Sequence, residues 1–527
     1  MSETKITIRS ILVGLLGMVV ITSSSAFMAL KIGTMPWPIL FATILSMLVI
    51  GRMKNSTKLE VSVTETIMAS GAMVAAGAVF TIPGIWMMDG ERNVNAIHIL
   101  VTMIVGVALG LLFSSLYRKK LIVEEDLSFP HGNASYETIN TGLGKGKDSK
   151  VLFSSMGFSA VFAFLRDSVK LIPSRITLFG GNTFISPISL WLSPMALSLG
   201  AMINEISALM WFLGSVFAFF LFTPLTIALG FFSSIAECDE VRKNIGIGIV
   251  IGTGLGVLAK ALFQIVRNIK RRSNDKKQGE GERKNLISIP LILLSIIVLT
   301  LFTPLTIFES ITVALGIGLS VLLSGMLTGQ CGMNPLEVFG ILVMMLSSFI
   351  FKGGEESLFL TAAAVSTSCG LCGVLMNDFK CGNKLGLDWK IQIKAEAIGA
   401  FSAALLSTGL IFVIKRSVGT FGTEAYPAPQ AAAVTSIING AGDNSSLLWG
   451  IVIGFILYVF KVPSATLGLG FYLPLHISLS MGIGAISAFI LKKKEKLTGR
   501  GVNLISSGFM AGEGVIGVFV AIKGIFL

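Results

Sequence analysis

The strongest constraint in this chain is a series of long apolar runs almost free of charge. They cover residues 11–30, 40–51, 97–117, 189–204, 208–232, 244–266, 286–305, 308–327, 338–351, 396–414 and 447–460. Several reach the roughly 20 residues that a helix needs to cross a hydrocarbon core about 30 Å thick. Backbone polar groups in lipid must be satisfied within the protein, so runs of this kind imply an all-α, polytopic transmembrane bundle. The alternating ten-residue segments of a membrane β-barrel are not seen. Composition agrees, with 53% hydrophobic and 13% charged residues and a mean hydropathy of +0.82, where soluble domains carry about 25% charge. The first run exceeds the 7–15 residues of a signal-peptide core, so it reads as an uncleaved helix.

A net charge of +12 would suggest nucleic acid in a soluble protein. Here the basic residues cluster between apolar runs: Arg52, Lys54 and Lys58; Arg118, Lys119 and Lys120; Arg267, Lys270, Arg271 and Arg272; and Lys492 to Lys494. That pattern marks cytoplasmic loops and makes nucleic acid an unneeded partner. Five cysteines form an odd set without disulfide-framework spacing.

The apolar pattern predicts helices near 8–31, 37–53, 62–88, 93–117, 151–167, 187–205, 207–230, 241–267, 286–304, 308–328, 335–351, 356–376, 391–414, 446–461, 464–491 and 502–526. That is about 16 segments, within a range of roughly 15–17. The polar stretch 268–285 reads as a charged cytoplasmic linker between a transmembrane half at 1–267 and another at 286–527. Three matches recur at an offset of 297 residues: Pro38 with Pro335, Thr64 with Thr361, and Pro130 with Pro427. They predict two pseudo-repeated halves, a transporter design. Counting crossings from a cytoplasmic N-terminus strands either Lys415-Arg416 or the 492–496 cluster on the wrong side. One segment is therefore expected to be broken or re-entrant, or to be missed, with 170–187 and 464–475 as the candidates.

Several strings together resemble the oligopeptide transporter family, which includes the yellow-stripe-like metal-chelate carriers. Glu60 and Glu65-Thr66 before ASG are similar to the family's acidic residue and Gln-Thr, although Glu65 stands where the family usually has Gln. Glu124 to Ala134 resembles its acidic-leucine-x-aromatic-Pro-x-Gly-x-Ala stretch. Asn377-Asp378-Phe379-Lys380, with Gly382, Gly386 and Gln392, resembles its Gln-Asp-Leu-Lys-x-Gly loop. Pro427-Ala428-Pro429-Gln430-Ala431, Gly470 to Pro474 and Met510 to Glu513 resemble three further motifs. The strings run in family order from residue 60 to 513. The resemblance implies proton-coupled import of oligopeptides or peptide-like metal chelates, with Glu60, Asp378, Lys380 and Gln392 as structural motif residues.

Ionisable groups inside apolar helices cost roughly 2.5–3.5 kcal/mol each on insertion scales, so they point to function. Glu65 can carry a coupled proton, or it can cap or pair at a helix end. Glu513 between two glycines presents the same choice, and Glu137 either couples protons or sits solvated on an interfacial helix. Arg166 and Asp167 are expected to pair locally, and Glu205 to occupy a short loop. Proline lacks an amide proton, so Pro427 and Pro429 free carbonyls that, with Gln430, can bind a peptide backbone. With Pro130, Gly132, Asn133, Tyr472 and Pro474 they are the substrate-binding candidates. The alternatives are a kinked loop for the prolines and an interfacial aromatic for Tyr472. Cys369 and Cys372 lie in a small-residue helix and read as packing. His98, His131 and His476 lack ligand spacing, so neither a metal nor another cofactor is expected.

No HExxH, GxSxG or GxxxxGK[ST] string is present, which argues against a membrane-embedded enzyme or a pump. The expected function is a non-enzymatic secondary transporter of the cell membrane. Its partners would be a small polar solute (a peptide or metal chelate), protons and lipids, with a homo-oligomer allowed. The alternatives are a channel or a membrane-embedded enzyme.

Overall fold

A computed structural model of the chain describes residues 6–32, 38–142, 147–182, 186–203, 205–272, 281–332, 334–351, 353–423, 426, 428–438, 444–493 and 499–526. Pro427 and residues 273–280 of the expected linker lie outside the described residues. In chain order the helices are α1 (Ile8–Ile32), α2 (Pro38–Val49), α3 (Lys58–Val79), α4 (Pro83–Met88), α5 (Ala96–Arg118), α6 (Pro130–Gly142) and α7 (Lys147–Asp167). Two strands follow, β1 (Arg175–Phe179) and β2 (Ile188–Trp191), then α8 (Pro194–Met202), α9 (Glu205–Val216), α10 (Thr223–Ala228) and α11 (Ile235–Arg272). The remainder is α12 (Gly281–Phe302), α13 (Ile307–Cys331), α14 (Leu336–Ile350), α15 (Glu355–Leu385), α16 (Trp389–Val418), α17 (Pro429–Ile438), α18 (Asn444–Val459), α19 (Ser464–Tyr472), α20 (Leu475–Lys493) and α21 (Gly499–Phe526). Among the described residues seven helices are long and apolar enough to cross a membrane, and the chain is an all-α polytopic membrane protein.

The chain forms two compact units. The first holds Met1–Val169, Pro290–Ala441 and Asn503–Leu527, and the second holds Lys170–Ile289 and Gly442–Val502. Each unit thus draws segments from both sides of the 268–285 stretch.

The first unit is built around α3 and α15, whose apolar windows are wholly buried in protein. Their small residues explain this position. Gly71 of α3 lies against Thr22 and Met18 of α1, Gly77 against Thr367 of α15, and Gly399 of α16 against Ser70 and Ile67 of α3. A side chain at any of these glycines would collide, so the helices approach almost backbone to backbone.

Helix starts recur along this unit. Ile8 and Ile307 are 299 residues apart, Pro38 and Leu336 298, Lys58 and Glu355 297, and Pro130 and Pro429 299. The repeated helices run in opposite directions. At its N-terminus α15 meets the N-terminus of α5, where His98 Nδ1 is 2.8 Å from Glu356 and Arg92 is 2.6 Å from Glu355. At the other end Arg118 of α5 lies over Phe379 near the end of α15 and over Trp389 at the start of α16. Therefore α15 runs with α5 and against α3, as in an inverted-topology repeat. The backbone repeats at the level of single hydrogen bonds: Phe129 N–H donates to Gly329 O (2.9 Å) and Ala428 N–H to Leu30 O (2.8 Å). Phe129 and Ala428 also share a left-handed conformation, φ 40° and 39°, each just before a helix-starting proline. The structural counterpart of Pro130 is therefore Pro429. The 297-residue register that aligns Pro130 with Pro427 slips here by two residues.

Arg9, Lys58, Arg118, Lys380 and Lys384 share one end of the unit. Lys415 lies over the Trp86 ring of α4, at the opposite end. The helix α2, with 12 residues, is about 18 Å long, shorter than the roughly 30 Å of a hydrocarbon core.

The structure corrects four helix expectations. The 62–88 segment breaks after Val79 and restarts at Pro83. The 356–376 helix continues to Leu385 and stops at Gly386 (φ 80°). Asn377 to Lys380, expected in a loop, are thus helical and buried: Asn377 Oδ1 accepts from Gly132 N–H, the Asp378 carbonyl accepts from Gln392 Nε2, and Lys380 Nζ donates to Asp126. The 187–205 segment divides into β2, paired antiparallel with β1, and α8, whose start is capped by Ser193; the suspected segment 170–187 supplies β1. Finally, 464–491 breaks between Tyr472 and Leu475, around Pro474. In the second unit, Phe219, Ile249, Phe471 and Leu475 form an apolar cluster.

Candidate functional site: a buried carboxylate cluster

Three neighbouring helices of the first unit each place one carboxylate at the same depth. Glu65 is seven residues after the start of α3, Asp378 seven before the end of α15, and Glu396 seven after the start of α16. At 1.5 Å per residue each lies about 10 Å from the nearer end of its helix. Glu65 and Glu396 are 0% exposed and Asp378 is 1% exposed. Among the described residues none of their six oxygens has a hydrogen-bond partner. The charged neighbours of Glu65 are Asp378 and Glu396, and Asp378 is also the charged neighbour of Glu396.

Local packing holds the site in place. Gln392 Nε2, one turn before Glu396, donates to the Asp378 carbonyl (2.6 Å), and Gly382 makes room for the Gln392 amide. Thr66 lies beside Asp378, and the Cys381 thiol lies near both Glu65 and Asp378. One apolar cluster (Met47, Ile50, Val61, Ile139, Cys381) and another (Val63, Ile67, Leu387, Ala395) flank the carboxylates. Burying an ionised carboxylate costs several kcal/mol even after relaxation. Three such groups in one layer, with no cation facing them among the described residues, suit the holding and release of protons.

The other candidates from the sequence are distributed as follows. Glu60, not Glu65, is the helix-end carboxylate: it accepts from Arg9 Nε (2.5 Å) and Thr7 Oγ1 (2.6 Å). Glu65 sits five residues further along α3, about a turn and a half deeper, which removes the capping reading for it. Glu513 forms a buried ion pair with Arg166 (2.8 Å), which also pairs with Asp167 (2.6 Å). Glu137, expected to be solvated, is only 9% exposed, because α6 packs under α2 and α15. Glu205 opens α9 and is exposed. Lys380 reaches out to Asp126 (2.6 Å).

Pro130 starts α6, and the Asn133 amide donates to Ser128 O. Gly132 N–H donates to Asn377 Oδ1 (2.8 Å), and the Asn377 backbone fills the space where a Gly132 Cβ would stand. Pro429 and Gln430 start α17. Tyr472 and Pro474 belong to the second unit, where the buried Arg242 guanidinium stacks over Phe219 at 4.3 Å and donates to the Phe471 carbonyl. His131 is fully buried in α6, and burial pushes its imidazole down to about 3, so it stays neutral. The Cys372 thiol donates to Val321 O inside the α13–α15 contact.

Glu396 was not singled out from sequence. It lies two residues after Lys394, which makes it resemble an interfacial pair. The signal that separates it is the small-residue run that follows, where Gly399 closes on α3.

Residues 5–523 match the profile described as "OPT oligopeptide transporter protein". A Haemophilus influenzae protein named "Putative oligopeptide transporter" is 23% identical over 94% of this chain and 92% of its own length. A Saccharomyces cerevisiae protein of the same description is 25% identical over 36% of this chain and 30% of its own. A solved structure titled "The sodium-dependent phosphate transporter" is 14% identical over 88% of this chain and 98% of its own, at a TM-score of 0.13, too low for any structural correspondence.

Proposed function

The chain belongs to the oligopeptide transporter family, and on that premise we propose that it is a proton-coupled carrier of oligopeptides or peptide-like metal chelates in the cell membrane, with Glu65, Asp378 and Glu396 as its proton-binding centre. One observation carries this reading: three buried carboxylates at one level, on the two central helices and their neighbour, without hydrogen-bond partners among the described residues. Like charges in a low-dielectric interior repel strongly, and shared protons relieve that repulsion. Loading and unloading the cluster then alters how closely α3, α15 and α16 pack. In an inverted repeat such a change favours one access state over the other. Within the first unit, the matched corners before Pro130 and Pro429 frame the candidate substrate contacts at Asn133 and Gln430. Glu513 is assigned to holding α7 against α21.

The test is uptake of a labelled tripeptide library into proteoliposomes with a pH gradient, acidic outside. Wild type should accumulate peptide above equilibrium. Glu65→Gln, Asp378→Asn and Glu396→Gln should each abolish gradient-driven accumulation while keeping counterflow exchange. A triple variant that still accumulates peptide with unchanged pH dependence would refute the assignment.

A further inference from the structure

The second unit carries an open apolar groove between α8–α9 and α20, with a volume of about 430 Å³. That lies within the roughly 300–1,000 Å³ of ligand-holding clefts. Small residues make its floor: Gly200, Ala208, Gly482 and Ala485. Large apolar side chains make its walls and remain exposed, with Ile206 at 60%, Leu209 at 52%, Ile486 at 51% and Phe489 at 46%. In a membrane protein such a surface meets acyl chains. Two lining residues break the apolar pattern: Glu205, the first residue of α9, and Lys492, in the last turn of α20. Both are exposed, and among the described residues neither makes an ion pair. As residues of helix termini, they sit where the groove reaches the membrane surface.

We infer that this groove seats one bilayer phospholipid with a primary-amine headgroup, its phosphate on Lys492, its ammonium on Glu205 and an acyl chain along the floor. The charge pattern selects this occupant. The flexible lysine stem snorkels along apolar surface while its ammonium meets an anion. A carboxylate beside it would weaken binding of a purely anionic lipid and strengthen binding of a zwitterion. A primary ammonium also donates charge-assisted hydrogen bonds to the Glu205 carboxylate, which a quaternary choline cannot do.

The experiment is native mass spectrometry of the full chain, delipidated and then exchanged with equimolar phosphatidylethanolamine, phosphatidylcholine and phosphatidylglycerol. The expected result is one retained phosphatidylethanolamine, about fivefold over phosphatidylcholine, equivalent to about 1 kcal/mol. Glu205→Gln should equalise those two lipids, and Lys492→Ala should reduce retention of both. Both substitutions lie on an exposed rim, and monodisperse elution checks that the variants fold. Equal retention in wild type, or a preference unchanged in both variants, would overturn the proposal. So would an Ile486→Cys variant that crosslinks to a second copy with no lipid retained, which would make the groove a subunit contact.

Discussion

Replacing Arg166 with Met removes the cation that pairs with the buried Glu513 carboxylate. Arg166 and Glu513 are each 5% exposed and 2.8 Å apart, whereas Asp167 is 29% exposed. Breaking a buried pair from one side costs about 3–5 kcal/mol, because a buried charge loses its ionic partner. Asp167 keeps water and adds at most about 1 kcal/mol. Glu513→Gln leaves Arg166 with Asp167 and an amide oxygen, for a loss of about 1–2 kcal/mol. In the double variant neither charge remains stranded, so it should be about 2 kcal/mol more stable than Arg166→Met alone, a non-additivity expected for touching residues. Denaturant titration of the purified protein, followed by tryptophan fluorescence, would give the order wild type, Glu513→Gln, double variant, Arg166→Met. A double variant as unstable as Arg166→Met would refute the pairing argument. The same proteins test the division of roles in transport. Glu513→Gln should keep gradient-driven accumulation. If it loses accumulation and Glu65→Gln does not, the proton centre lies at the α7–α21 contact instead.

The matched corners separate backbone strain from packing. Ala428→Gly should stabilise by roughly 1 kcal/mol, because a left-handed φ of 39° costs a side-chain-bearing residue about that much. Phe129→Gly should destabilise by about 2–4 kcal/mol, since a fully buried ring outweighs the same relief. His131 is held at about 3 in the folded protein, below its unfolded value near 6.5. The unfolded chain therefore binds more protons between those values, and stability should fall by about 1.4 kcal/mol per unit as pH drops below about 6.5. His131→Gln should flatten that slope in pH-dependent unfolding. Gly132→Val should block assembly of α6 on α15, read as loss of monodisperse protein, because its side chain would meet the Asn377 carbonyl. Asp126→Ala should change stability by less than about 1 kcal/mol, since Asp126 is 82% exposed in its pair with Lys380.

The sequence by itself determined the class of this protein, because the physics of lipid acts on single segments: an uncharged run long enough to span can only be a helix. It also exposed the duplication through Pro38, Thr64 and Pro130, and it marked Glu65 through the cost of a carboxylate among small apolar residues. Helix ends were harder to read. Polar Asn377, Asp378 and Lys380 look like a loop along the chain, and the groups that bond Asn377 and Asp378 in the helix, Gly132 and Gln392, belong to other helices. The two-residue slip that aligns Pro130 with Pro429 is visible only in the hydrogen bonds of Phe129 and Ala428 to the opposite repeat. Glu65, Asp378 and Glu396 are 313 and 18 residues apart in successive steps, and no periodicity links them. Only tertiary packing decided that they share one level: glycines let α3, α15 and α16 close together, and the inverted repeat sets the C-terminal end of α15 beside the starts of α3 and α16.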